Sequence, residues 1–230
     1  MTVDSISDAA TLILVRDPAT RPRVLMGQRG AGAAFMPSRF VFPGGALDAA
    51  DATVPLVRPL AEPCASRLEE KSAPGIGPAL VAAAIRELWE ETGMAVGISR
   101  AWATEPPESW RDYAEAGYAP DPAGLHFVFR AITPPGRPRR FDARFFLADA
   151  ELIDGDPDDF ARASGELSRL QWVEIGRVGE FRLPFITEVV LAEVAAALPH
   201  LGPPPTVPFF DNSDEESLFR RLGNGDAVTR

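Results

Sequence analysis

A chain of 230 residues, 46% of them hydrophobic, can bury a substantial core, and one domain with appendages suits that length better than two full domains. Its formal charge of −10 excludes a non-specific nucleic-acid binder, which needs a basic footprint, and the single cysteine, Cys64, excludes an internal disulfide. No apolar run reaches the length of a membrane helix, and the first ten residues carry Asp4 and Asp8 without a basic region, so neither a membrane span nor a signal peptide is expected. A soluble cytoplasmic protein is the default.

In chain order, Ala10 to Val15 is an apolar run of strand length, Asp17 to Thr20 breaks it, and Val24 to Gln28 resumes an extended pattern. Arg29 to Gly45 reads as a glycine-rich loop in which Phe40 to Phe42 forms a short strand that ends in a sharp turn at Pro43-Gly44-Gly45. Paired glycines let a backbone approach its neighbours closely, although the same tripeptide is often only a turn. Ala46 to Gly77 is interrupted by four prolines and reads as irregular, with a short helix around Cys64 to Lys71. Such a stretch is either a lid or specificity element or a surface excursion.

Pro78 suits the first turn of a helix, Val81, Ala84, Ile85 and Leu88 give it an apolar stripe, and Gly93 supplies a C-cap. Ala95 to Ser99 reads as a strand, Glu105 to Gly117 as a short peripheral helix, and Leu125 to Thr133 and Phe141 to Ala148 as two further strands. His126 has no second His or Cys nearby and reads as a sheet residue. Arg137, Arg139 and Arg140 form the one basic cluster, either for solubility or as a clamp for phosphate. Asp149 to Asp159 lacks the ligand spacing of a calcium loop and reads as an acidic turn. Glu166 to Glu174 is a strand, Leu183 to Leu198 an apolar helix, and residues 201–230 a proline-rich tail with a short helix at Ser213 to Leu222 that docks on the body or on a second subunit.

The chemistry concentrates on the helix after Pro78. Glu87, Glu90 and Glu91 stand at i, i+3 and i+4, which puts three carboxylates on one helix face. Like charges so close repel unless a cation sits among them; Arg86 answers part of that charge, and a hard divalent cation such as Mg²⁺ answers it better. A bare run of acids is more often a solvated face.

The string Arg86-Glu87-Leu88-Trp89-Glu90-Glu91-Thr92-Gly93-Met94 resembles the second half of the Nudix box, the metal-binding signature of the Nudix hydrolases, and Phe42-Pro43-Gly44-Gly45 resembles its beginning. The resemblance implies an α+β fold, an α/β/α sandwich around a mixed sheet, with one domain over residues 1–200 and an insert at 46–77. It implies hydrolysis of a diphosphate linkage in a nucleoside diphosphate–X compound. The expected metal ligands for Mg²⁺ or Mn²⁺ are then Glu87, Glu90, Glu91 and Gly45, with Glu87 as general base, Arg86 orienting the glutamates, and Glu151 or Glu166 as a further carboxylate. Arg29, Arg39, Gly44 and Arg140 are the expected substrate contacts.

The chain departs from the family pattern G-x5-E-x7-R-E-U-x-E-E-x-G-U. Gly45 and Arg86 are 41 positions apart where the pattern has 14, so 27 residues are inserted, and counting back from Arg86 puts Pro78 in place of the first Glu. That role is absent or falls to Asp48 or Asp51. Phe35 to Asp51, Ile132 to Pro135 and Arg140 to Leu147 look like the coenzyme A diphosphatases related to the mammalian peroxisomal enzyme, which carry an insert at the same place. That branch implies coenzyme A or an acyl derivative as substrate. The alternatives are ADP-ribose or NADH-type dinucleotides, or a Nudix-fold nucleotide-binding domain without catalysis. A small-molecule partner, no nucleic acid, no membrane and a homodimer complete the expectation.

Overall fold

The computed structural model describes residues 5–214, 216–223 and 228–229. The strands and helices, in chain order, are β1 (Ile6–Arg16), β2 (Arg23–Arg29), β3 (Phe40–Val41), β4 (Gly44–Ala46), α1 (Cys64–Glu69), α2 (Gly77–Thr92), β5 (Gly97–Ser99), α3 (Arg111–Glu115), β6 (Tyr118–Pro120), β7 (His126–Ile132), β8 (Arg140–Asp149), β9 (Leu167–Glu174), α4 (Phe185–Ala197), β10 (Val207–Asp211), β11 (Leu218–Leu222) and β12 (Val228–Thr229). Short 3-10 turns at Ala49–Thr53 and Glu108–Trp110 complete the parts that matter for the site.

One sheet runs β12-β11-β10-β7-β8-β1-β2-β3, with β4 added to β1 and β9 to β2. It is mixed, because β1 with β8 and β7 with β10 are parallel while the other pairs are antiparallel. Alternation along β1 sends Ala10, Leu12 and Leu14 to the face covered by α1 and α2, and Ile13 and Val15 to the face covered by α4. The result is the α/β/α sandwich that the sequence led us to expect.

Helix α2 has its proline in the first turn, and Gly93, at φ 78°, closes it by donating its N–H to the Trp89 carbonyl. The run from Ala79 to Leu88 is apolar nearly all round, as a helix enclosed on every side requires. Of its residues only Pro78, Glu87 and Glu90 are not buried. The sheet lies under it and the insert lies over it.

Three expectations change. The insert is neither a lid nor a surface excursion: Val54, Leu60, Cys64 and Leu68 enter the same core cluster as Leu80, Val81 and Leu88 of α2. The segment before β6 is not peripheral, since Trp110 and Tyr113 are fully buried in that cluster. The tail helix expected at Ser213 to Leu222 is corrected to a strand at Leu218–Leu222, because β10 adds itself to β7 and offers a free edge that β11 fills. Phe210 and Phe219 stack across that pair at 5.3 Å, and Arg220 donates to Asp211 at 2.7 Å. Arg67 of α1 donates to the Pro204 and Pro205 carbonyls at 2.6 Å each, so insert and tail are tied together.

Candidate active site

The site forms where β4 leaves the sheet and α2 passes over it. Gly44 and Gly45 pair with Thr11 and Ala10 of β1, which holds their backbone against the helix. A Cβ at Gly45 would lie 2.5 Å from the Glu87 carboxylate, so the absence of a side chain is what lets Glu87 rest on this strand. The Gly44 N–H donates to Glu91 Oε2 at 2.8 Å. Gly44, expected to meet substrate, thus has its N–H engaged in holding a glutamate.

Arg86 is the hub. Its Nη1 donates to Glu87 Oε1 at 2.8 Å and to Glu90 Oε2 at 3.2 Å, and its Nη2 donates to the Ala46 carbonyl at 3.0 Å. Nε and Nη2 together grip Asp51, at 2.9 and 3.0 Å, in a fork of two bonds. Asp51 is buried, and it also accepts from the Trp110 indole N–H at 3.0 Å and from the Asp48 N–H at 2.9 Å. Counted forward from Gly45, Asp51 stands where the box pattern has its first Glu. The carboxylate that seemed replaced by Pro78 is therefore present, and the extra residues fall between it and Arg86. Of the two acids expected to take that role, Asp51 is the one that meets Arg86. Asp48 instead caps the 3-10 turn by accepting from Ala50 N–H.

Burial raises the Glu87 carboxyl to about 7, against the pull of Arg86, with Glu90 and Glu166 adding repulsion. Burial likewise raises Glu90, and it raises Glu91 well above the usual carboxylate range although Gly44 opposes it. Burial works against the Arg86 charge, but Asp51, Glu87 and Glu90 outweigh it and hold the guanidinium protonated. Three carboxylates, Asp51, Glu87 and Glu90, thus gather around one guanidinium, with Glu91 one residue further on, held by Gly44; the excess of hard oxygen donors fits a hard divalent cation. Among the described residues no three such groups converge into a closed cage: Glu87 and Glu90 lean on Arg86, while Glu91 turns to Gly44.

The remaining expected residues separate. Arg29 is half-buried and donates to Glu166 Oε1 at 3.2 Å; Glu166 leads into β9 and adds repulsion at Glu87, Glu90 and Glu91. Glu151 is exposed in a turn capped by Asp149. Arg39 is exposed, with one contact to the Leu183 carbonyl at 3.1 Å. Arg140 is corrected: it is buried and spends its donors on the Thr133 and Asn212 carbonyls, so it anchors the tail and does not face a ligand. Arg137 and Arg139 stay exposed. His126 is half-buried on β7, and burial lowers its pKa. Trp110 was not singled out from the sequence. Its signal was available only as a lone tryptophan in a short polar helix.

No protein-family model matches the chain. Over 178 residues it is 29% identical to the Caenorhabditis elegans protein named "Putative nudix hydrolase 7", a match that covers 72% of this chain and 50% of that one. The chain thus spans about half the length of this curated relative. The crystal structure of a Nudix hydrolase from Alicyclobacillus acidocaldarius superposes with a TM-score of 0.65 at 29% identity, covering 85% of this chain and 93% of that one. In sequence and in fold, the chain is thus similar to Nudix hydrolases.

Proposed function

We propose that this chain is a metal-dependent diphosphatase that cleaves a nucleoside diphosphate–X compound, with coenzyme A or acyl-coenzyme A as X-bearing substrate. The observation that carries the reaction class is the buried excess of carboxylate around Arg86. Mg²⁺ or Mn²⁺ would be held by Glu87, Glu90 and Glu91 with the Gly45 carbonyl. When bound, the ion supplies charge neutralisation at the diphosphate and acidifies a water.

The chain's own residues divide the remaining work. Arg86 fixes the rotamers of Glu87 and Glu90 and is a positioning residue, since its donors are spent on protein oxygens. Glu87, with its carboxyl near 7, is poised to take a proton at neutral pH and is our general base. Arg29 and Arg39 supply positive charge for the substrate phosphates. Of the two further carboxylates considered, Glu166 is the one beside the trio. The coenzyme A branch rests on the resemblance of Phe35 to Asp51, Ile132 to Pro135 and Arg140 to Leu147. Against a non-catalytic binding domain speaks Asp51, which brings a carboxylate to Arg86 six residues after Gly45.

Among the described residues no helix is long and apolar enough to cross a membrane. We place the protein in the cytoplasm as a homodimer, for which Phe185, 72% exposed at the start of α4, is an available anchor. Light scattering of purified protein tests the dimer.

The test of function is incubation with coenzyme A, ADP-ribose and NADH, each with Mg²⁺ and with EDTA. Coenzyme A should be cleaved only with metal, and Glu90→Gln and Glu91→Gln should each lower turnover at least ~100-fold. Turnover unaffected by these substitutions would end the metal reading. Cleavage of ADP-ribose with coenzyme A untouched moves the substrate to the dinucleotide class, and tight binding without turnover makes the chain a binding domain.

A further inference from the structure

In the family pattern seven residues tether the first acid to the arginine. Here positions 52–85 intervene, 34 residues, so chain connectivity alone leaves Asp51 loosely placed relative to Arg86. Something else must fix it. Asp51 Oδ1 is shared between Arg86 Nε and the indole N–H of Trp110, while Oδ2 is shared between Arg86 Nη2 and the Asp48 N–H. Asp48 belongs to the box itself. Trp110 comes from a separate segment, beyond the box helix, and is completely buried.

That segment is itself fastened to the helix. The Tyr113 hydroxyl donates to the Val96 carbonyl at 2.7 Å, and its ring packs edge-on against Trp89 of α2 at 5.5 Å and against Trp110 at 5.3 Å. Trp110 is thus carried on a support packed against α2. We propose that Trp110 is a positioning residue of this enzyme: its N–H fixes Asp51, which orients the Arg86 guanidinium, which in turn holds Glu87 and Glu90 for the metal. The proposal rests on the metal-dependent reading of the site, but its first step is a property of the protein alone.

The test uses the full chain, with Trp110→Phe removing the donor and keeping an aromatic ring. Trp102→Phe is the packing control, because Trp102 lies in the same aromatic cluster, 5.9 Å from Trp110, but bonds the Tyr118 carbonyl instead. Exchange of the Arg86 Nε proton with water, followed by ¹⁵N NMR without metal, should speed up at least ~10-fold in Trp110→Phe and stay near parental in Trp102→Phe. Mn²⁺ affinity by electron paramagnetic resonance should fall several-fold in the first variant only. Parental Arg86 exchange in Trp110→Phe, or equal acceleration in both variants, overturns the proposal. A parent that binds no Mn²⁺ while Arg86 exchange responds as stated sinks the metal reading and leaves the positioning intact. Should Trp110→Phe not fold, the parent decides: the Trp110 indole and Arg86 Nε protons, each compared with its own intrinsic exchange rate, should show matched protection, and an indole proton protected ~100-fold less refutes the link.

Discussion

Glu87 offers the sharpest check on the electrostatics of the site, through stability and without any substrate. Its carboxyl sits near 7 in the folded protein because burial disfavours the anion, whereas an unfolded glutamate titrates near ~4.3. Because the folded value is the higher one, the folded state binds this proton more tightly than the unfolded state does. Ionised Glu87 therefore costs stability in full above pH 7, the cost fades as pH falls toward the unfolded value, and below it nothing remains. At about 1.4 kcal/mol per tenfold change, the gap amounts to roughly 4 kcal/mol. Glutamine keeps the shape and the acceptor that Arg86 uses, and never ionises. In EDTA at pH 8.5, Glu87→Gln should unfold at higher urea and ~5–10 °C higher temperature than the parent. At pH 4.5 the two should coincide to within ~1 kcal/mol. Added Mg²⁺ should stabilise the parent more than the variant. A variant less stable than the parent at pH 8.5 would refute the reasoning, since Arg86 would then more than compensate the buried charge.

Three further outcomes follow from the same contacts. Gly45→Ala places a methyl 2.5 Å from the Glu87 carboxylate; hydrolysis should fall about 100-fold while the far-UV circular dichroism stays native, and unchanged turnover would mean that Glu87 does not need this strand. Arg140→Gln should leave KM and kcat near parental but cost ~2 kcal/mol in urea unfolding, because the Thr133 and Asn212 carbonyls lose their donor; a raised KM with normal stability would return Arg140 to the substrate site. At Asp211 burial favours the neutral acid, but Ser213 and Arg220 outweigh it and hold the carboxyl below its usual range. Its contribution is therefore complete above the unfolded value of about 3.9 and lost as pH falls through the lower folded value, so hydrogen exchange at Leu218–Leu222 should accelerate below about pH 4, less so in Asp211→Asn.

What could be read from the sequence had local causes. The proline, stripe and glycine of α2 are set by backbone geometry within one helix, and β1 and β7 are short, largely buried apolar runs, so both were legible. What could not be read depended on a distant partner. Leu218 to Leu222 suits a helix or a strand over five residues, and the free edge of β10 decides. Arg140 differs from Arg137 and Arg139 in opening β8 and lying beneath the tail. Cys64 and Leu68 lie one turn apart in a helix of only six residues, and Val54 and Leu60 stand among prolines, so the stretch is too short and broken to show a buried face. The metal ligands named from the motif remain an expectation of the family, while their placement beside Arg86 and the paired glycines is a feature of the fold.

The split box shows why an insertion is tolerated at one point of a motif and not at another. Between Gly45 and Asp51 the chain makes one strand end and one 3-10 turn, closed by Asp48 and Asp51 capping each other, and nothing there is long enough to absorb extra residues. Between Arg86 and Gly93 every residue is committed to one helix face or another, and one added residue would rotate the glutamates by about 100°. Only after Asp51 does the chain leave the site. Residues inserted there need meet one condition, that Asp51 still reaches Arg86, and that condition is met by contacts and not by tether length. Once free of the site, the inserted segment could become core: it covers the outer side of α2, so the residues that lengthen the motif also bury the helix that carries its carboxylates.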